Sequence, residues 1–312
     1  MHMASTLISA TVGGAFGTGS GSAAVVSGVK YNKMEQHKPL LMGVAGAAVF
    51  AVQMMNFSIA GTGSSGHIGG GFLLATLLGP VPAYLVMSVI LTVQCLLFGD
   101  GGLLALGCNI FNMGIVPCYI IYPLLKRYLV NSKTRLISTI AGGMLSMALG
   151  AMGVVAQTAL SFTPGLDMHA FVINMMSIHL AIGLGEGIIT AGLVYLYDKA
   201  NAVSENHALI GTMSLAVLTS GFLSLFASSY PDGLEWSLIQ VAGTDTLAAT
   251  SKVHTICESI QTQTVLLPDY AFKAVENSIS SGVAGLIGCI LVFAIALAAG
   301  LILSHNTKNP LF

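Results

Sequence analysis

Leu7 to Val29, Pro39 to Phe98 and Val283 to Ser304 contain no aspartate, glutamate, lysine or arginine, and the middle stretch is interrupted only by His67. Runs of this kind leave few folds open. A bilayer's hydrocarbon core is about 30 Å thick, and roughly 20 apolar helical residues cross it. Inside it every backbone N–H and C=O must be bonded within the protein, and apolar runs of this length meet that demand as helices. Charged residues make up only 7% of the chain, against roughly 25% in a soluble domain. The expected fold is therefore all-α, a polytopic membrane helix bundle. The 37 glycines are compatible with it, because small residues let membrane helices approach closely. Gly13, Gly17 and Gly21 would form one smooth stripe on the first helix.

Orientation follows from the cationic residues. Nine of the eleven fall in four groups: Lys30, Lys33 and Lys38; Lys126, Arg127, Lys133 and Arg135; Lys199; and Lys308. Cytoplasmic loops collect lysine and arginine, which puts the N-terminus outward and the C-terminus inward. Crossings are expected near residues 6–28, 39–58, 82–98, 102–125, 136–159 and 170–197. A further segment, 67–79, is too short to cross alone and needs a preceding loop that dips inward, with His67 beginning a half-helix. These seven form a core, and two more helices near 208–228 and 280–304 flank a polar outer segment, 229–279. The polar connector Asp198 to His207 divides the chain into units 1–205 and 206–312.

The start of the chain is a chelate. The Met1 amine, the deprotonated His2 amide and His2 Nδ1 close fused five- and six-membered rings around one ion. Three nearly coplanar nitrogens leave one equatorial position, which the imidazole of His67 can fill from the glycine-rich run Gly61 to Gly69. Planar nitrogen coordination suits Ni(II) and Cu(II). His2 is bulky enough to block methionine removal, so Met1 should remain. His179 and Glu186, seven residues apart, share one helix face. Ionisable groups in a membrane are costly, so they are either functional or a buried interhelical hydrogen-bonding pair. Asn56, Asn109 and Asn112 either orient His67 and the entering N-terminus or satisfy helix-end carbonyls. Asp100, in a glycine turn, reads as a local hydrogen-bonding residue. His254 and Cys257 read as solvated, and the five cysteines, without C-x-x-C spacing, read as packing residues. With no basic patch and a net charge of −1, nucleic acid is not an expected partner.

Leu41-Met42-Gly43 through Asn56-Phe57, Ser65-Gly66-His67, Leu78-Gly79-Pro80, Gln94, Leu97 to Gly102 and Asn109 to Gly114 form a recognisable set, continued by His179 to Gly187. Over residues 1–200 the chain resembles the nickel/cobalt substrate-capture subunits of energy-coupling-factor transporters, the CbiM/NikM family. The start Met1-His2-Met3-Ala4-Ser5 is close to that family's nickel-type start but lacks its acidic fifth residue. Pro231-Asp232-Gly233-Leu234-Glu235-Trp236 resembles the signature of the family's small accessory component, CbiN-like or NikN-like, here fused behind the capture unit.

The resemblance implies a seven-helix core and metal ligands at Met1, His2 and His67, with Ser65 beside them. It further implies a transmembrane coupling protein and two ATPases as partners in a bacterial or archaeal cytoplasmic membrane. The metal is then cargo, and no cofactor is expected.

Absences narrow the mechanism. No G-x-x-x-x-G-K-[ST] loop is present, so ATP hydrolysis must come from elsewhere. H-E-x-x-H is also missing. Uptake of Ni(II), uptake of Co(II) by the same route, and a stand-alone channel or carrier all remain open. An enzyme would need an open metal position, which a filled nitrogen plane does not offer. One residue added ahead of Met1 should abolish nickel binding while the protein still inserts. Undiminished affinity in such an extended form, measured by metal titration, would exclude this site.

Overall fold

The computed structural model describes residues 2–131, 133–248, 251–272 and 278–305; the candidate ligand Met1 and Lys308 lie outside the described residues. The protein is a polytopic helix bundle. A 3-10 turn at Ser5–Leu7 leads into α1 (Ala10–Asn32), whose first turn is capped by Ser9 Oγ accepting from Val12 N. Next comes α2 (Pro39–Gln53), apolar and buried on nearly every side. It packs against the helices Gly71–Leu78, Pro80–Val93, Glu205–Gly221 and Ser278–His305.

The chain then makes a two-stranded antiparallel hairpin, β1 (Phe57–Ile59) and β2 (Ser64–Gly66), with Phe57 opposite Gly66. This small sheet was not expected in an all-α chain. From Ser64 to Ala75 every residue is buried. The chain therefore does dip into the protein, where irregular backbone is tolerated because protein surrounds it. His67 lies in this extended stretch, however, and the half-helix α3 begins only at Gly71 (Gly71–Leu78). Gly69 and Gly70 separate the two, and their N–H groups are bonded to Glu186. At about 1.5 Å per residue, α3 spans only ~12 Å, well short of a bilayer.

After the Gly79-Pro80 corner, α4 (Pro80–Val93) rises into a π-helical turn at Gln94–Phe98 and stops at Gly99, which has φ 74°. A second long helix consists of α5 (Leu106–Ile110), a π-helical stretch Phe111–Ile121 containing Pro117, and α6 (Tyr122–Val130). The antiparallel pair α7 (Arg135–Leu160) and α8 (Met168–Val203) follows. Then come α9 (Glu205–Gly221), the shorter helices α10 (Gly233–Ala242) and α11 (Lys252–Thr264), and α12 (Ser278–His305). Both α9 and α12 pack directly on α2, so the last part of the chain is built into the core.

Among the described residues, five helices are long and apolar enough to cross a membrane: Pro80–Phe98, Leu106–Val130, Arg135–Leu160, Met168–Val203 and Ser280–His305. The sequence pattern led to seven plus two. Of the others, α1 is long but diluted by glycine, serine and threonine, while α2 is a shorter apolar helix. The expected second helix, 39–58, ends at Gln53, where the hairpin takes over.

Close approach of α3 to the π-helical stretch depends on Gly71, where an added Cβ would fall 2.2 Å from the Met113 carbonyl oxygen. Because that neighbour is backbone, Gly71→Ala should cost about 1–3 kcal/mol. Gly14→Ala on α1, with nothing within 4 Å of its Cβ, should be neutral. Thermal unfolding in detergent compares the two, and equal midpoints would contradict this packing.

Candidate metal centre

The first residues of the chain are threaded into the bundle. Met3 is fully buried; its N–H donates to Asn109 Oδ1 (2.8 Å), and its carbonyl accepts from Gly102 N (2.8 Å) and Asn109 Nδ2 (3.3 Å). The side chain of Asn109 thus takes the place of a pairing strand. Ser5 Oγ accepts from Leu104 N, tying the same segment to the glycine turn after α4. Gly101 has φ 81°, and a Cβ there would lie 2.7 Å from Asn109 Nδ2 and 3.4 Å from His2 Cβ. Asn112 Nδ2 donates to Gln157 Oε1 (2.8 Å) and approaches Met3 Sδ (3.8 Å). Asn56 is in neither group; its carbonyl accepts from Ser228 N.

This threading brings His2 to His67. Their rings stack with centroids 5.1 Å apart and an interplanar angle of 16°. His67 Nδ1 lies 3.1 Å from the Ile68 carbonyl, which can only accept, so Nδ1 carries the hydrogen and Nε2 the lone pair. His2 Nε2 lies 3.2 Å from Gln94 Oε1, and His2 Nδ1 lies 3.1 Å from Asp100 Oδ1. Burial pushes both imidazoles from 6.5 down to about 3, so both rings are neutral near pH 7. Asp100 is not the purely local residue expected of a glycine turn. Its Oδ2 accepts from the Tyr270 hydroxyl at 2.5 Å, and burial raises its carboxyl above the ordinary range.

His179 and Glu186 do not pair with each other. Glu186 accepts from the N–H groups of Gly69 and Gly70, at 3.1 Å each, and so holds the loop that follows His67. His179 Nδ1 donates to the Met175 carbonyl one turn back, and its Nε2 has no hydrogen-bond partner among the described residues. Of the two, Glu186 bonds a neighbouring segment, and His179 bonds within its own helix. Two residues seven apart on one helix are about 10 Å apart along its axis, too far to meet.

The segment after α9 closes over the site, and its Pro231–Trp236 signature bonds to the hairpin and caps α10. The Pro231 carbonyl accepts from Ser65 N, and the Tyr230 carbonyl accepts from Ser65 Oγ. Asp232 caps α10 through Leu234 N and Glu235 N, while Glu235 accepts from Asp232 N in a capping box. The other Asp232 oxygen, Oδ2, lies 4.0 Å from His67 Nε2. At Gly233 a Cβ would meet Ile182 at 2.7 Å and His179 at 2.9 Å. Trp236 Nε1 donates to the Thr62 carbonyl, so the tryptophan is a strut on the hairpin.

Gln261 holds the glycine turn from the other side. It donates to the carbonyls of Cys95 and Gly101 and accepts from Leu103 N. His254, expected to be solvated, is buried between Ser251 Oγ (2.7 Å from Nδ1) and the Ile8 carbonyl (2.9 Å from Nε2). Its segment is polar in composition, yet α11 packs on the N-terminal turn. The five cysteines are unbridged. A cavity of about 400 Å³ reaches His2 from this side, lined by Asp100, Asp232, Glu235, Asp245, Glu258 and Asp269 and by no lysine or arginine.

Comparison with known proteins gives the family. Residues 2–204 match the CbiM model, described as the cobalt uptake substrate-specific transmembrane region, and residues 206–305 match the PDGLE domain. The chain belongs to the CbiM family. A putative fused nickel transport protein NikMN of Archaeoglobus fulgidus is 32% identical over 288 residues, covering 89% of this chain and 91% of that one. The fused nickel transport protein NikMN of Rhodobacter capsulatus is 32% identical over 310 residues, covering 85% and 87%. A crystal structure of a transition metal transporter superposes with a TM-score of 0.58 at 28% identity, covering 66% of this chain and 97% of that one. This CbiM-family chain thus carries its PDGLE domain in one polypeptide.

Gln53, Gln157, Gln261 and Tyr270 were not singled out from sequence. For Gln53 and Gln157 a signal existed, since each is an isolated amide inside an apolar helix. For the other two, which reach the site from the outer segment, none did.

The neutral rings revise one expectation about acid. Chemistry alone suggests that His67→Ala should make nickel binding less proton-dependent, since one imidazole no longer has to be neutral. A ring that titrates near 3 is already neutral, so it releases nothing on binding metal. Parent and His67→Ala should lose nickel with the same slope between about pH 5 and 8, displaced in affinity, the protons coming from the amine and amide. A shallower slope in the variant would contradict the buried, neutral ring. For the metal-free fold, the unfolded chain binds more protons between 6.5 and 3. Stability should therefore be full above that window and fall as pH drops through it.

Proposed function

We propose that this protein captures Ni(II) at the outer face of a bacterial or archaeal cytoplasmic membrane and delivers it inward as the substrate-binding component of an energy-coupling-factor transporter. Met1, His2 and His67 are the ligands in this reading, supplying four nitrogens. The observation that carries it is the pinned N-terminus. Met3 is held by Asn109 and Gly102, and His2 stacks on His67. Planar nitrogen donors favour nickel, and two fused relatives are named as nickel transport proteins. Cobalt remains the second reading, because the capture region matches a model described for cobalt uptake.

The site's loops alternate along the chain with the lysine- and arginine-bearing loops after α1 and α6. This supports an outward N-terminus. An anionic cavity leading to His2 suits attraction of a cation from that side. Residues 1–205 act as the capture unit and 206–312 as an accessory unit. The chain has no ATP-binding loop, so a transmembrane coupling protein and two ATPases supply the energy. The protein is a transport component and not an enzyme. Nickel uptake into liposomes by the full chain should require these partners and ATP. Uptake by the full chain alone would favour a stand-alone channel or carrier.

The accessory unit's place over the site also changes what truncation should do. Residues 208–312 carry no histidine or cysteine cluster at ligand spacing, which by itself would leave binding by residues 1–205 largely intact. With Tyr270, Gln261 and Asp232 holding the two metal-bearing loops, a truncated 1–205 should bind nickel about 10–100-fold more weakly. Isothermal titration compares the two, and equal affinity would show that the contacts are dispensable.

A further inference from the structure

Neutral imidazole has one N–H and one lone pair, and a chelate built on the backbone nitrogen of His2 needs the lone pair on Nδ1. We propose that Gln53 and Gln94 are positioning residues that reserve His2 Nδ1 for the metal by relaying the fixed polarity of the Gly69 carbonyl through two buried amides. This deepens the metal-capture reading above and rests on it.

The chain of bonds has only one consistent direction. The Gly69 carbonyl can only accept, so Gln53 must present its amide nitrogen there, at 2.7 Å. Gln53 Oε1 then points the other way and accepts from Gln94 Nε2 at 2.9 Å. That leaves Gln94 Oε1 facing His2 Nε2 at 3.2 Å, an acceptor that obliges Nε2 to carry the hydrogen. Both glutamines are buried, Gln94 fully and Gln53 at 4% exposure, so water cannot replace a partner if one amide turns over. A reversed amide would set two donors or two acceptors face to face.

The anchor is itself held, because Gly69 N and Gly70 N donate to Glu186. The relay therefore runs from the loop that carries His67 to the ring of His2 and ties the two candidate ligands together. A competing pull exists. Asp100 Oδ1 lies 3.1 Å from Nδ1 and would accept the hydrogen there, closing the lone pair to metal. Removing the relay hands the hydrogen to Asp100. His67 needs no such device, since the neighbouring Ile68 carbonyl fixes its own Nδ1–H.

The test uses full-length metal-free protein with its native N-terminus and ¹⁵N-labelled histidine, with His2 assigned by NMR. The parent should show hydrogen on Nε2 and a bare Nδ1. Gln53→Met touches neither histidine, yet should shift His2 toward the Nδ1–H form and weaken nickel binding about 10–100-fold, leaving the His67 signals unchanged. Hydrogen on Nδ1 in the parent, or an unaltered His2 tautomer in a folded Gln53→Met, overturns the proposal. If that variant does not fold, the parent spectrum alone decides. A parent with bare Nδ1 that binds no nickel would instead sink the metal-capture reading and leave the relay standing.

Discussion

The proposed metal site depends on holding the segment that begins at His2 and Met3. A terminus is the part of a polypeptide most prone to fray, and a chelate that uses the terminal amine needs it still. The protein resolves this by burying the third residue. Met3 sits in the core, both of its backbone groups are bonded to the Asn109 amide or the glycine turn, and Leu7 and Ile8 are buried after it. Ordering one apolar side chain in this way fixes the position of His2 just ahead of it. Glycines at 101 and 102 follow from the same demand, since the turn must lie against the N-terminal backbone.

The second loop is fixed by comparable means from the opposite side. A hairpin turns the chain back, Glu186 ties down Gly69 and Gly70, and α3 is cut short so that His67 stays within the protein. The PDGLE segment then bonds to both loops at once, through Pro231 and Trp236 to the hairpin and through Tyr270 and Gln261 to the glycine turn. Fusing it to the capture unit keeps that roof in place without a separate association step. The cavity over the site is lined by acidic side chains while the two candidate imidazoles are neutral, a division that in the proposed function lets charge gather a cation and nitrogen hold it.

Much of this was legible in the residues themselves. Uncharged runs announced the helices, and the motifs singled out His2 and His67, whose rings the fold stacks. Two features escaped because they depend on contacts between distant segments. The outer segment reads as a solvated loop, since its lysines, acids and glutamines look alike whether they face water or a buried turn; His254 and Gln261 became interpretable only when α11 was seen against Ile8 and Gly101. The start of α3 was misplaced because a glycine run carries little periodic signal. His179 and Glu186 share a face, as spacing required, but their partners are backbone groups that no side-chain pattern announces.

The central claim is that metal sits in a plane of nitrogens supplied by the free N-terminus, His2 and His67. X-ray absorption at the nickel edge, on full-length protein loaded with one equivalent of Ni(II) and carrying its native start, tests it most directly. The account predicts a four-coordinate planar centre with only nitrogen donors and imidazole scattering from two rings, together with the yellow band of low-spin nickel. A six-coordinate, oxygen-rich shell, or a spectrum unchanged when one residue is added ahead of Met1, would contradict it.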